Sequence, residues 1–306
     1  MENRLIIFDG NAILHRAYHA MPKLTNYKAE HIGALYGVVS ILVKTISDLR
    51  PTHIIFCFDE EGENFRHKIL KTYQENRSHP DDDLISQIKK APDLINAIGI
   101  PVYSHNGFEA DDLIGTIAKK AVEDTPLVFG QIVVVTGDRD LLQLVDDRNH
   151  ISLFMPQNGM TQAVMYDEEK ARQRMGVLPS QIADLKGLVG DMSDNYKGVP
   201  GIGPKTACSL LAQFGSFSEI YKNLEKIPEK IRNKLIEGRE SGELSYKLAQ
   251  IVTDVDIVID FDKASKWDLV SREALAKYEE IGFKSLVERI KKTAKEISKK
   301  QQTSLF

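Results

Sequence analysis

The sequence predicts an α/β fold, a mainly parallel twisted sheet flanked by helices, continued by a helical extension. Three observations carry this expectation. From residue 4 to about 155, short apolar runs alternate with amphipathic stretches, as in a parallel sheet built with helical crossovers. Residues 131–135, Gln-Ile-Val-Val-Val, form a β-branched run that is apolar on both faces, which suits a central strand covered on both sides. Beyond about residue 160 the apolar spacing becomes mostly helical.

Taken in order, strands are read at 4–8, 53–58, 100–103, 131–135 and 151–155, each a short apolar run. Helices are read between them at 34–49, 84–98 and 109–122. Residues 180–189 and 216–290 read as further helices, with a short strand or extended piece around Val255–Ile259. The run from Lys291 to Lys300 is polar and cationic, a fraying helix or linker. The expected organisation is a core at 1–178, a helical region at 179–290 and a tail at 291–306. There are no internal repeats and no low-complexity tracts.

With 306 residues the chain can bury a large core, and its 42% hydrophobic and 27% charged content is ordinary for a globular protein. Cys57 and Cys208 lie far apart without metal-type spacing, which favours a reducing compartment over disulfide pairing. Arg4 to Phe8 begins a strand at once, leaving no room for a signal peptide, and no run is long enough to cross a bilayer. The expectation is a cytoplasmic monomer with no membrane partner. A net charge of −4 argues against a generic polyanion binder but allows one whose acids are gathered in one pocket.

Those acids sit at strand exits. Leu5-Ile-Ile-Phe-Asp9 ends in Asp9, and Ile54-Ile-Phe-Cys-Phe-Asp59 ends in Asp59. Glu109-Ala-Asp-Asp112 opens a helix after strand 100–103, and Thr136-Gly-Asp-Arg-Asp140 follows strand 131–135. Any one group also fits a capped turn or a helix N-terminus. Four together are different, because a right-handed parallel sheet brings its strand exits to one edge, where unpaired carboxylates repel. Divalent cations resolve that conflict. Oxygen donors without His or Cys suit Mg²⁺ or Mn²⁺, and two such ions about 3.5–4 Å apart serve in-line displacement at phosphorus.

Two further stretches point to nucleic acid. On a helix through residues 62–90, Arg66, Tyr73 and Arg77 would share one face, where an aromatic between guanidinium groups receives a base and its phosphate; a solvated basic helix has the same pattern. After Gly190-Asp-Met-Ser-Asp194 comes Gly198-Val-Pro-Gly-Ile-Gly-Pro-Lys-Thr-Ala207. Its three glycines and Pro204 describe a hairpin whose amides and helix N-terminus bind phosphate without reading bases.

In order along the chain, Phe8-Asp-Gly-Asn11, Cys57-Phe-Asp59, Phe65-Arg66, Tyr73 with Asn76-Arg77, Glu109 to Asp112, Thr136 to Asp140, Gly190 to Asn195 and Gly198 to Lys205 resemble the flap endonuclease family. The likeness is closest to the 5′ nuclease domain of bacterial DNA polymerase I and its free-standing relatives, and covers about residues 4–290. It implies a PIN-like 5′ nuclease fold with a helical arch at about 62–90 and a C-terminal helix-hairpin-helix extension. The implied activity is two-metal hydrolysis, exonucleolytic and at flaps, on DNA and RNA primer remnants in replication and repair. Two Mg²⁺, replaceable by Mn²⁺, are implied. Asp9, Asp59, Glu109 and Asp111 match one metal site and Asp138, Asp140 and Asp191 the other. The resemblance sets Asp111 between the two and implies Asp112 and Asp194 as outer or water-mediated ligands. Arg66 and Arg77 match arch residues at the scissile phosphate, and the segment Gly198, Gly201, Ile202, Gly203, Lys205, Thr206 matches the duplex-gripping hairpin, which in relatives holds K⁺.

One departure stands out: Gln74 follows the arch tyrosine where relatives carry lysine, and Lys71 is the expected substitute. The ending Gln302-Thr-Ser-Leu-Phe306 resembles the peptide that docks replication proteins on the β sliding clamp, with Gln302, Leu305 and Phe306 as anchors. That resemblance implies a chain ending here without a polymerase domain. Two rival readings are a metal-dependent phosphatase, from the loop Phe8-Asp-Gly-Asn11, and a non-catalytic clamp-tethered DNA binder.

Overall fold

Asp9 is both the last residue of strand β1 (Asn3–Asp9) and the N-cap of helix α1 (Gly10–Ala20), its carboxylate accepting the Ala12 amide. A computed structural model describes residues 3–21, 23–123, 127–157 and 162–303, with side chains as far as Ile297. After α1 the chain forms α2 (Gly33–Leu49), which ends at Arg50 in the left-handed region, then β2 (His53–Cys57). Next come α3 (Phe65–Ile69), α4 (Asp82–Ala97), β3 (Val102–Tyr103), α5 (Ala110–Glu123) and β4 (Phe129–Val135). A 3₁₀ turn at Asp140–Leu144 leads to β5 (Ile151–Gln157), β6 (Gln162–Tyr166) and α6 (Glu168–Met175).

The strand order is β3-β2-β1-β4-β5-β6, parallel except for β6. From β1 the chain winds outward through β2 and β3, then returns to the other side of β1 as β4. That reversal opens a crevice beyond the carboxyl ends of β1 and β4, where sheets of this kind bind ligands. Alternate residues explain the two covered faces. Leu5, Ile7 and Val134 pack with α5, while Ile6, Phe8, Val133 and Val135 pack with α1, α2 and α4.

The helical region comprises α7 (Ile182–Val189), α8 (Pro204–Phe214), α9 (Phe217–Lys222), α10 (Glu229–Glu237), α11 (Arg239–Ala249), α12 (Phe261–Ala264), α13 (Arg272–Ile281) and α14 (Lys284–Thr303). Pro204 occupies the first turn of α8, its fixed φ and missing N–H both suited to that position. Leu185, Leu188, Val199 and Ile202 share one core with the sheet, and Tyr278, Phe283 and Leu286 return to the opposite face.

Three expectations are corrected. Residues 62–90 do not form a continuous helix: α3 lasts five residues, turns follow to Arg77, and Gln74 adopts φ 59. Tertiary ties of Arg66, Tyr73 and Gln74, described below, prevail over helical periodicity, so Arg66, Tyr73 and Arg77 do not share a helix face. The edge strand β6 escaped the reading because it is only partly covered and carries few β-branched residues. Val255–Ile259 is extended but joins no strand; side chains of α5 meet this segment's backbone instead, Thr116 Oγ1 accepting from the Val255 amide and Lys120 donating to the Ile257 carbonyl. Leu305 and Phe306, and the side chain of Gln302, lie outside the described residues.

Candidate metal centre

At the carboxyl edge of the sheet lies a cavity of about 580 Å³ lined by Asp9, Asp59, Glu109, Asp111, Asp138, Asp140 and Asp194, with Arg77 at its wall. Five backbone segments supply these acids, and each is fixed locally. Asp9 is 3% exposed and accepts from Ala12 N at 2.9 Å and from Thr136 Oγ1 at 2.7 Å. Thr136 in turn accepts the Asp138 amide at 2.9 Å, so one hydroxyl registers the β1 acid against the β4 loop. Asp59 accepts the Ala110 amide at 2.7 Å, capping α5 from a neighbouring strand, while Asn11 Oδ1 accepts the Asp59 amide. Asp138 accepts the Asp140 amide at 2.8 Å, and Asp111 projects from the first turn of α5.

Burial and mutual repulsion dominate the electrostatics. Desolvation, reinforced by Asp59 and Asp138, lifts Asp9 from its ordinary 3.8 to about 7. Asp111 is raised well above the usual carboxylate range, first by burial and then by Asp138, Asp9 and Glu109. Asp138 is raised by burial and by Asp140. Asp9, Asp59, Asp111 and Asp138 make no ion pair among the described residues. Such a group has the charge and the hard oxygen donors that a divalent cation requires.

The remaining acids are arranged differently. Asp140, Asp191 and Asp194 bring one oxygen each within 4.8 Å of one another, and no other acid group closes to that spacing among the described residues. Lys186 on α7 donates to Asp140 Oδ2 and, at 2.6 Å, to Asp191 Oδ2. Burial alone would raise Asp191, but Lys186 and the Ser193 hydroxyl and amide pull it down to about 2. Asp194 is buried and pairs with Arg77 Nη2 at 2.6 Å. The close trio therefore includes Asp194, and Asp138 lies among the deeper acids.

Two backbone positions hold this loop. Gly190 and Gly198 have φ 78 and φ 64 and lie back to back, so that a Cβ on Gly198 would fall 2.3 Å from Gly190 N and one on Gly190 would fall 2.4 Å from the carbonyl carbon of Lys197. The Gly198 amide donates to the buried Ser245 hydroxyl.

Asp112 and Arg66 depart from their expected roles. Arg66 is 3% exposed; it donates to Asp112 Oδ1 and Oδ2 at 2.8 and 2.7 Å and to the carbonyls of Leu248 and Gln250, and it pairs with Glu109 Oε2 at 2.9 Å. Asp112 is fully buried and also accepts the Glu109 and Val252 amides. Each Asp112 oxygen thus accepts twice, and the Arg66 guanidinium is enclosed by partners from its own chain. They bolt α3 and α5 to the segment after α11. Glu109 accepts from Asn64, Gln74, Tyr73 and Arg66, so direct cation binding requires it to exchange a donor. Burial first, and then Asp59 and Asp112, raise it to about 7 against the pull of Arg66.

Tyr73 is buried at the cavity wall, 5% exposed, whereas Lys71 is exposed and does not line the cavity. In the hairpin, Gly198 and Ile202 are buried, whereas Gly201, Gly203 and Lys205 are exposed and Thr206 is half-buried. Gly203 leaves the N-terminal amides of α8 without a side-chain cap. Lys234 Nζ donates to the Gly201 carbonyl at 2.9 Å, so one hairpin carbonyl already faces a cation of the chain. Sequence reasoning missed Lys186, Asn64 and Lys234. A lysine five residues before Asp191 carried the only available signal, since one helical turn from the end of α7 returns it to the acid loop.

Residues 4–176 match the family described as 5′-3′ exonuclease, N-terminal resolvase-like domain, and residues 177–272 match its C-terminal SAM fold. The chain belongs to the 5′-3′ exonuclease family. It is 37% identical over 265 residues to a 5′-3′ exonuclease of Buchnera aphidicola subsp. Baizongia pistaciae, covering 84% of each chain. It is 36% identical over 300 residues to DNA polymerase I of Bacillus caldotenax, covering 98% of this chain and 34% of that one. The chain thus spans about a third of the length of its polymerase relatives. The fold is similar to the zinc-bound 5′-exonuclease of T5, with TM-score 0.66 at 20% identity over 97% and 99% of the two chains. It is also similar to the catalytic core of Rad2 in complex with DNA, with TM-score 0.59 at 15% identity over 97% and 93%. Family membership makes this chain a nuclease of mixed, mostly parallel sheet with a helical C-terminal part.

Proposed function

We propose that this family member is a metal-dependent 5′ nuclease that hydrolyses phosphodiester bonds at 5′ ends and 5′ flaps of DNA, in primer removal and repair. The observation that carries the reading is the convergence of acids from five backbone segments on one cavity at the sheet's switch point. Two bound Mg²⁺ or Mn²⁺ ions would polarise the scissile phosphate and supply a nucleophile from water near neutral pH.

The chain's own residues do the rest. Asp9, Asp59, Asp111 and Asp138 form the deeper oxygen set, and Asp140, Asp191 and Asp194 the outer one. Thr136 keeps the two strand-end acids in register. Arg77, half-exposed beside Asp194, is the guanidinium positioned to meet phosphate charge at the rim. The exposed hairpin between α7 and α8 offers the α8 amides and Lys205 to duplex phosphates, gripping without reading sequence. In this reading residues 1–178 cut, 179–290 hold duplex, and 291–306 form a tail that docks a sliding clamp. The setting is the bacterial cytoplasm; no helix of the described residues is long and apolar enough to cross a membrane. The phosphatase rival is not favoured, because Asn11, where that chemistry wants a second acid, is engaged in holding the Asp59 amide.

The test is a 5′-labelled flap, a nicked duplex and a plain single strand, each with Mg²⁺, Mn²⁺ or EDTA. The expected result is metal-dependent cleavage that favours the branched substrates and that Asp111→Ala abolishes while duplex binding persists. Undiminished Mg²⁺-dependent cutting by that variant would overturn the assignment of the acids.

A further inference from the structure

The two halves of the acid cluster are neutralised in different ways. The deeper half, Asp9, Asp59, Asp111 and Asp138, has no ion pair among the described residues. In the outer half, Lys186 bridges Asp140 and Asp191, and Arg77 pairs with Asp194. The ammonium of Lys186 is held on a side chain only 10% exposed, and it contacts two of the three acids whose oxygens close to within 4.8 Å. The ammonium places a positive charge in hydrogen-bond contact with both carboxylates, where it repels a divalent cation drawn to the same acids. Burying a lysine beside the acids is costly unless both charges are paired, so its presence there is a specific arrangement of charge and not a solvated surface contact.

Resting on the reading that these acids bind divalent cations, we infer that Lys186 is a tethered competitor of the second cation. It holds the outer acids together before metal arrives and must leave them for that cation to bind. Loading is therefore ordered. The deeper half, with no ammonium to displace, fills first and tightly; the outer half fills second and more weakly. The ammonium released from Asp140 and Asp191 stays on its tether beside the site. Lys186 is a positioning residue here, acting through the acids it contacts.

Mn²⁺ titration of the DNA-free, full-length protein, followed by electron paramagnetic resonance, tests this without reference to activity. The wild type is expected to bind one ion tightly and one weakly. Lys186→Met and Lys186→Gln are expected to tighten the second site at least about tenfold, within the usual range of coupling between linked equilibria, while leaving the first unchanged. Amine labelling of the wild type read by mass spectrometry is independent of any variant's folding. Lys186 should resist modification in EDTA and become reactive only at Mn²⁺ concentrations that fill the second site. Two occupied sites with no change in the variants' affinities and no change in Lys186 labelling would overturn the competition. Absence of Mn²⁺ binding altogether would overturn the metal reading beneath it.

Discussion

Asp9→Asn should make the metal-free protein more stable while disabling it. In the wild type the folded environment lifts Asp9 from 3.8 to about 7. At alkaline pH its ionisation therefore costs the fold roughly three pK units, at about 1.4 kcal/mol each, or about 4 kcal/mol. Asparagine carries no such cost. One Oδ1 replaces two carboxylate oxygens facing Ala12 N and Thr136 Oγ1, so about 1 kcal/mol of hydrogen bonding is lost. The net gain is about 3 kcal/mol, or roughly 6 °C at about 2 °C per kcal/mol for a chain of this size. The sign follows from the direction of the shift. A raised carboxyl holds a proton in the folded state that the unfolded chain has released, so wild-type stability falls as pH rises from about 4 to about 7. The variant's advantage should be full at pH 8, shrink through that window and vanish below pH 4. Scanning calorimetry in EDTA at pH 4, 6 and 8 reads this directly, and excess Mg²⁺ should reverse the order because the wild type gains ligand stabilisation. A variant no more stable than wild type at pH 8 in EDTA would refute the claim that uncompensated charge strains this site.

Other outcomes follow from the same geometry. Arg66→Ala strands the buried Asp112 carboxylate, and unfolding in urea should show a loss of about 3–5 kcal/mol, far more than removal of a surface arginine would cost. Lys205→Ala should weaken duplex binding alike for all sequences and lower the slope of log affinity against log salt by about 1. Lys234→Met should make duplex binding sensitive to the choice of K⁺ or Na⁺, since the Gly201 carbonyl loses its ammonium partner; equal binding in both salts would count against that. Removal of residues 302–306 should lower affinity for a β sliding clamp in a titration and spare intrinsic cutting.

What could be read in advance was what local periodicity and composition control. The β-branched runs announced β1, β2, β4 and β5, and the acids at their ends announced the crevice, because strand direction and right-handed crossover leave few alternatives for where those ends go. What escaped depends on contacts between distant residues. Arg66 looks like a phosphate ligand in the sequence and is consumed by Asp112, Leu248 and Gln250 in the fold. Tyr73 looks exposed on an ideal helix, yet its hydroxyl donates to Glu109 and the chain around it is bent by Gln74. Lys186 carries no motif at all. Its meaning arises only when α7 sets it between Asp140 and Asp191.

The back-to-back glycines have a mechanical consequence. Nine residues, from Gly190 to Gly198, begin with the acids at one end and run into the phosphate-gripping turn at the other, and they are pinched shut where main chain lies on main chain. A side chain can relax by rotating, but peptide against peptide has no such slack. Under the proposed function, a duplex seated on the turn would therefore load Asp191 and Asp194 through a short stiff link, and the place of the grip would set how far from it the strand is cut.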